Sequence, residues 1–360
     1  MMSSTSIPLR AATRALRRLG VLGATLGVSA ATVASATCAP ASTNVAACQT
    51  PASMSPDEFR PFTVTEIRPL TGDTSLYRFG LGAGESLAMP VASLLLVRAA
   101  IGEPKEEGAG NSFVVRPYTP TDTVAAVGHF DLVVKSYAQG NVSKHFSTLK
   151  VGDSVEMKGP ITKFVYDDAY RGRVKRVGMI AGGSGITPML QVARKILRDG
   201  DGTAVSLIFA NQTPEDIILK GEIDELAAAN PNFSVHYTVD RAPAGFEGSV
   251  GYITEEMIRA NIPQPSGAGD DSVVVYVCGP PGMMNHISGN KNPDKSQGEL
   301  AGLLKKMEYA ESQVYKVRRR PPRPGDRRAR PRGSDAERPR ARSSERRVDR
   351  AAARGNGASI

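Results

Sequence analysis

A two-part fold is expected from this chain: a closed antiparallel β-barrel followed by an open, parallel α/β sheet. Three observations lead to it. Residues 57–168 hold short apolar or alternating runs broken by Gly, Pro and Asp, with no sustained helical periodicity. Residues 169–317 alternate such runs with segments of helical period, the pattern of βαβ units. Hydrophobic residues make up 41% of the 360, enough to fill a core in each part.

In the front part the expected strands are Phe62–Ile67, Ser75–Leu81, Leu94–Val97, Phe130–Lys135 and Ser154–Lys158. Short strands at this spacing suit a closed barrel. In the back part Val177–Ala181 reads as a strand and Gly182-Gly183-Ser184-Gly185 as a tight turn. A helix follows over Met189–Leu197, with Thr187 as its N-cap, Pro188 at its first position and a stop at Asp199-Gly200. Three more strands are expected at Ala204–Ala210, Phe233–Val239 and Val273–Val277. A helix through Leu226 separates the first two, and Met283 starts another after the last.

The formal charge of +9 is concentrated at the ends. Residues 1–56 hold four arginines and no acid, and residues 318–360 hold 15 arginines and five acids, so the body between them is acidic by five charges. A basic face on the fold itself would be needed for nucleic-acid binding, and none is expected. Three cysteines (Cys38, Cys48 and Cys278) exclude a disulfide framework, and four scattered histidines do not suggest a metal site.

Residues 1–56 read as a targeting or anchor segment with a linker. Arg10, Arg14, Arg17 and Arg18 in an acid-free, Ala/Ser/Thr-rich stretch suit a mitochondrial presequence. The uncharged run Leu19–Ala36 would then be a sorting or membrane-anchoring segment. Two other readings stay open: a secretory signal cleaved after Ala34-Ser35-Ala36, and a plain extension. The arginine-rich segment 318–360 has almost no large apolar residues and is expected to be disordered. It is either an electrostatic grip on RNA or acidic lipid, or an extension without function.

Chemistry gathers in a few motifs. Arg116-Pro117-Tyr118-Thr119-Pro120 offers a guanidinium that suits a pyrophosphate, a flat ring and a hydroxyl. In isolation it is equally a proline-flanked edge strand. Lys135-Ser136-Tyr137 follows, then the turn Gly140-Asn141-Val142-Ser143, whose backbone N–H groups suit an anion. Val151-Gly152-Asp153 and Gly159-Pro160 come next. The glycine turn at Gly182–Gly185 has the strand–turn–helix layout that cradles a dinucleotide pyrophosphate, although its spacing is not G-x-G-x-x-G. Taken alone, it is equally a strand simply turning into a helix. Asp240 and Cys278-Gly279-Pro280-Pro281-Gly282-Met283 lie at ends of parallel strands, where open α/β sheets bind ligands.

The order of the front motifs, from Arg116–Pro120 through Lys135–Tyr137, Gly140–Ser143 and Gly152-Asp153 to Gly159-Pro160, resembles that of the ferredoxin-reductase-type FAD domain. From about Phe59 to Val317 the chain resembles the NADH–cytochrome b5 reductases. GPITKF, GGSGITPM, ANQTPEDIILK and CGPPGM look most like the fungal mitochondrial form, and the fit continues through Ser296–Leu300 and Gln313–Lys316. The resemblance implies a Greek-key FAD-binding barrel and a Rossmann-like NADH-binding domain. It implies an enzyme that takes a hydride from NADH onto FAD and passes single electrons to cytochrome b5 or a similar haem protein. A monomer in the mitochondrion, at the outer membrane or in the intermembrane space, is the matching expectation.

The resemblance also implies roles. Arg116 holds the FAD pyrophosphate, with Pro117, Lys135 and Tyr137 beside it. Tyr118 and Thr119 contact the flavin ring and ribityl region, and Val142 and Ser143 give N–H groups to the FAD phosphate. Thr187 lies near the flavin. Gly182, Gly183, Ser184, Gly279, Pro280 and Met283 help bind NADH, and Cys278 sits beside the nicotinamide. Asp240 faces the adenosine ribose and repels a 2′-phosphate, and Thr119 and Cys278 are the residues nearest the chemistry. Three departures stand out. Ser184 replaces the family's Thr, Val317 replaces the aromatic that usually ends the family chain, and the Glu103–Glu107 loop is acidic. Competing readings are a related reductase with another acceptor, an inactive paralogue, and a tethered protein working through its arginine tail.

Overall fold

The computed structural model describes residues 53–87, 89–103, 110–121, 126–162, 172–267 and 270–317. The targeting segment before residue 53, the tail from 318, most of the acidic loop and the expected domain boundary at 168/169 lie outside the described residues.

The front part holds β1 (Arg60–Thr71), β2 (Thr74–Gly80), β3 (Ser93–Gly102), β4 (Ser112–Tyr118), β5 (His129–Lys135), α1 (Val142–Phe146) and β6 (Ser154–Thr162). They form an antiparallel sheet in the order β4-β3-β6-β1-β2-β5. Every strand sends apolar side chains into one core. Leu95, Val97 and Ala99 point inward at alternate positions of β3, and Phe79 stacks on Phe130 at 5.3 Å between centroids. Each such buried ring contributes roughly 1.5–3 kcal/mol. The sheet is therefore barrel-like. Its seam between the edge strands β4 and β5 is covered by α1, whose Phe146 packs on Tyr77 at 5.0 Å and Tyr118 at 5.1 Å.

β1 runs four residues beyond the end of the expected Phe62–Ile67 and starts two before it. Its far half is polar and half exposed, so no apolar period marks it; pairing with β2 keeps it extended. Its near half pairs with β6.

The back part holds β7 (Arg176–Gly182), α2 (Ile186–Asp199), β8 (Ala204–Asn211), α3 (Lys220–Ala229), β9 (Phe233–Val239), β10 (Ser249–Val250), α4 (Glu255–Asn261), β11 (Val273–Cys278), α5 (Pro281–Ile287), α6 (Gly302–Lys306) and β12 (Val314–Lys316). The sheet is parallel throughout, in the order β10-β9-β8-β7-β11-β12. From β7 the chain winds out to β10, then returns to the other side of β7 as β11. The order reverses between β7 and β11, and a crevice opens at their carboxyl ends. Apolar clusters cover both faces, so β11 (VVVYVC) is buried at every position.

Two helix starts differ from expectation. α2 begins at Ile186 with Gly185 as its cap, because Gly183–Gly185 already winds as a 3-10 turn. Thr187 is therefore inside the helix; its hydroxyl donates to Ser184 O at 3.3 Å instead of capping. Pro188 is third in the helix, where its missing N–H still costs nothing. α5 begins at Pro281, two residues before Met283. The stop of α2 is as expected: Gly200 is left-handed at φ +62°. Among the described residues no helix is long and apolar enough to cross a membrane.

Candidate active site

A continuous cavity of about 1540 Å³ lies where the two parts meet. That exceeds the roughly 300–1,000 Å³ of a site for one drug-sized molecule. The barrel supplies one wall. β4 ends in Arg116, Pro117 and Tyr118, with Thr119 next, and all four line the cavity. Arg116 Nη1 donates to Val115 O at 2.6 Å. Tyr118 leans on Phe146, and burial pushes its phenol pKa far above the ordinary value, so the hydroxyl stays protonated.

Lys135 and Tyr137 continue this wall from the end of β5. The Lys135 ammonium is held by Asp73, 2.7 Å from Oδ1 and 2.6 Å from Oδ2. Its position in the cavity wall is as expected, but its charge is engaged. Val142 and Ser143 open α1 at the cavity. Beside them Asn141 Oδ1 is buried without a partner, and a bound hydroxyl or N–H group would satisfy it.

Burial works to raise the Asp73 pKa. Hydrogen bonds from Lys135, Thr74 and Thr71 and the Lys135 charge outweigh it and hold the carboxyl below its ordinary 3.8. A depressed folded-state value means stabilisation that is present above the unfolded-state pKa and is lost as pH falls through the folded one. Thermal melts of wild type and Asp73→Asn should therefore differ at neutral pH and converge in strong acid. A difference that persists unchanged in strong acid would show that the pair does not carry it.

The parallel sheet supplies the opposite wall. Gly182, Gly183 and Ser184 follow β7, and Thr187 lies on the first turn of α2. Gly183 has φ +51°, a conformation that glycine adopts without strain. The turns after β7 and β11 touch. A Cβ on Gly185 would sit 2.1 Å from Cys278 O, and one on Gly182 would sit 2.5 Å from Met283 Sδ. Cys278, Pro280 and Met283 line the cavity. Gly279 stands behind them, because a Cβ there would meet Met283 Sδ at 2.6 Å. Cys278 is buried, and among the described residues it forms no disulfide.

Asp240 follows β9 at the cavity edge, and its backbone N–H donates to Asn211 O at 3.0 Å. Asn211 also lines the cavity; its Nδ2 is buried without a partner. Tyr252 stands at the lip, 78% exposed. The two walls meet where Tyr137 Oη lies 3.3 Å from Ser184 Oγ.

Sequence reasoning assigned no role to a third group: Lys291, Lys295, Ser296, Gln297, Tyr315 and Val317, all in the cavity wall. The Gln297 amide caps the free edge of β12, accepting from Lys316 N at 2.8 Å. The Lys316 ammonium, 2% exposed, donates to Gly298 O at 3.0 Å and Glu299 O at 2.6 Å. Burial pushes its pKa down. The signals in the sequence are the runs Ser296–Leu300 and Gln313–Lys316, which carry the family resemblance, and Val317, which departs from it.

The cavity has two motif-lined halves, a backbone cradle with no room for a Cβ at Gly182 or Gly185, and buried polar atoms awaiting partners. It fits two dinucleotides, FAD against the barrel and NADH against the parallel sheet. Residues 61–166 match the oxidoreductase FAD-binding domain family and residues 179–289 the oxidoreductase NAD-binding domain family. An NADH-cytochrome b5 reductase-like protein of Arabidopsis thaliana is 44% identical over 73% of this chain and 78% of its own. NADH-cytochrome b5 reductase 2 of Mycosarcoma maydis is 42% identical over 73% of this chain and 74% of its own. The cytochrome b5 reductase domain of Ulva prolifera nitrate reductase superposes with a TM-score of 0.62 at 33% identity, covering 73% of this chain and 98% of that one. The chain is thus an FAD- and NADH-dependent oxidoreductase, and it belongs to the NADH–cytochrome b5 reductase family.

Proposed function

We propose that this enzyme moves two electrons from NADH to FAD as a hydride and passes them singly to cytochrome b5 or a similar haem protein. The observation that carries this reading is the single cavity in which the flavin motif and the glycine turn face each other, 3.3 Å apart at Tyr137 and Ser184. FAD, when bound, supplies the exchange between two-electron and one-electron chemistry. Everything else is positioning by the chain.

Arg116 pairs with the FAD pyrophosphate, and the N–H groups of Val142 and Ser143 meet a phosphate. Pro117, Tyr118 and Tyr137 shape the flavin side. The Thr119 hydroxyl donates to the ring and stabilises the charge it gains on reduction. Lys135, anchored by Asp73, holds the end of β5 in place. Gly182, Gly183, Ser184, Pro280 and Met283 hold NADH, with Gly279 letting Met283 close down. Thr187 lies near the flavin, and Cys278 lies against the nicotinamide. Direct hydride transfer requires no acid–base pair, so holding the two rings in contact is the catalytic act.

Asp240 accepts from the adenosine ribose hydroxyls and repels a 2′-phosphate. Asp240→Ala should therefore narrow the preference for NADH over NADPH by about 10- to 100-fold, since like-charge contact costs several kcal/mol. Steady-state kcat/KM for the two nucleotides measures it, and an unchanged ratio would remove Asp240 from the specificity site.

The experiment that tests the whole reading is an absorption spectrum of the purified protein, followed anaerobically on adding NADH or NADPH. Bound-flavin bands that bleach with NADH, and far more slowly with NADPH, are the expected result. A folded, colourless protein that takes up no FAD would sink it. For the surroundings we propose a monomer in the mitochondrion, held through its N-terminal segment at the outer membrane or in the intermembrane space. The arginines and uncharged run of residues 1–36 support this. Cell fractionation with carbonate extraction tests it; a freely soluble cytosolic protein is the contrary result.

A further inference from the structure

We propose that Gln191 is a positioning residue for hydride transfer: its buried amide sets the distance between the nucleotide turn and the flavin motif. The inference rests on the flavin–NADH reading above and concerns how its two halves are held in register.

α2 leaves the glycine turn directly and carries Thr187 in the cavity wall. Gln191 lies one helical turn further on, on the same face. It is 1% exposed, a polar side chain among Met189, Leu190, Val192 and Ala193. All three of its hydrogen bonds reach the barrel. Oε1 accepts from Ser93 N at 3.1 Å, and Nε2 donates to Ser93 O at 3.2 Å and to Pro120 O at 3.0 Å. The amide can face only one way, because two of its partners are carbonyls and the third is an N–H.

Those partners are not neutral scaffold. Ser93 opens β3, which pairs along β4 with Arg116, Pro117 and Tyr118. Pro120 closes the Arg116–Pro120 motif. One amide therefore ties the helix behind the nucleotide turn to the Arg116–Pro120 motif and to the strand β3 that pairs with it. Arg194, a turn later, adds a more exposed latch. It donates to Thr121 O at 3.0 Å and pairs with Glu222, which also pairs with Arg68 of β1. That latch joins the parts near their outer edge. Gln191 joins them beside the cavity, where a small shift moves one ring against the other. A misplacement of about 1 Å at a reacting centre costs on the order of 100-fold in rate.

The test is stopped-flow reduction of the flavin by NADH in the full-length holoenzyme, comparing wild type, Gln191→Met and Gln191→Glu. Met keeps the length and removes every hydrogen bond. Its limiting reduction rate should fall about 10- to 100-fold. FAD content and the NADH concentration at half-saturation should stay within about threefold, because no binding residue has changed. The long-wavelength charge-transfer absorption of stacked nucleotide and reduced flavin should weaken in parallel.

Glu keeps the acceptor for Ser93 N but can donate to a carbonyl only when protonated. Its reduction rate should therefore recover as pH falls, while wild type and Gln191→Met show no such recovery. A Gln191→Met enzyme that reduces at the wild-type rate would overturn the proposal. So would one that loses rate only in proportion to lost FAD, or a Glu variant without the acid-side recovery; if Gln191→Met does not fold, the Glu profile decides. Wild type that fails to bleach with NADH is a separate outcome and counts against the function reading instead.

Discussion

Arg116→Ala should purify nearly free of FAD while remaining folded. Arg116 lines the cavity from the end of β4, beside the opening turn of α1. A bidentate guanidinium–pyrophosphate pair consists of charge-assisted hydrogen bonds worth roughly 1.5–3 kcal/mol each. Removing it should weaken FAD binding by at least about 10- to 100-fold. The barrel core does not depend on this side chain, since Leu95, Val97 and the Phe79–Phe130 stack lie elsewhere. The ratio of flavin to protein absorbance after gel filtration reads the loss, and circular dichroism checks the fold. An Arg116→Ala protein that stays fully yellow would show that another group holds the pyrophosphate.

Gly185→Ala should leave the FAD in place and disable the use of NADH. The added methyl would lie 2.1 Å from Cys278 O and 2.7 Å from Cys278 C, both backbone atoms of a fully buried strand. Neither can swing away, so the turn after β7 or the end of β11 must move. Overpacking of this kind costs about 1–3 kcal/mol. It also displaces Cys278 and the glycine turn together, and flavin reduction by NADH should fall at least about tenfold. Gly183→Ala is the useful contrast. Its Cβ meets nothing within 4 Å, and only the φ of +51° opposes it, at about 1–2 kcal/mol. If Gly185→Ala bleaches with NADH at the wild-type rate, close contact between the two turns is not required for hydride transfer.

Gly185→Ala marks a limit of what the sequence shows. The motif holding Gly185 was recognised, yet Gly185 itself was not singled out, because its constraint comes from Cys278, more than ninety residues away. Gln191 lies inside an apolar helical run, and nothing local singles it out. Only the docking of α2 on Ser93 and Pro120 shows what its amide does. Lys135 is placed among the cofactor-binding residues by the Lys-x-Tyr pattern and lines the cavity; its pairing with Asp73 is not visible in the sequence. The start of α2 was placed two residues late, because a glycine turn that is already helical gives no break in pattern.

By itself, the sequence determined the two-part architecture and where the chemistry lies along the chain. Strand alternation, helical period and Gly/Pro punctuation are local properties and survive without a structure. The motifs at strand ends are local too, and parallel-sheet geometry brings strand ends together. Which distant groups touch at or beside the cavity is settled by packing: Tyr137 with Ser184, Gly185 with Cys278, and Gln191 with Ser93 and Pro120. Packing also brought Lys291, Ser296 and Gln297 to the rim, through the Gln297–Lys316 pairing on the edge of β12. These contacts join residues far apart in the chain. Their geometry is set by how two separately folded cores pack, and no periodicity within either segment encodes it.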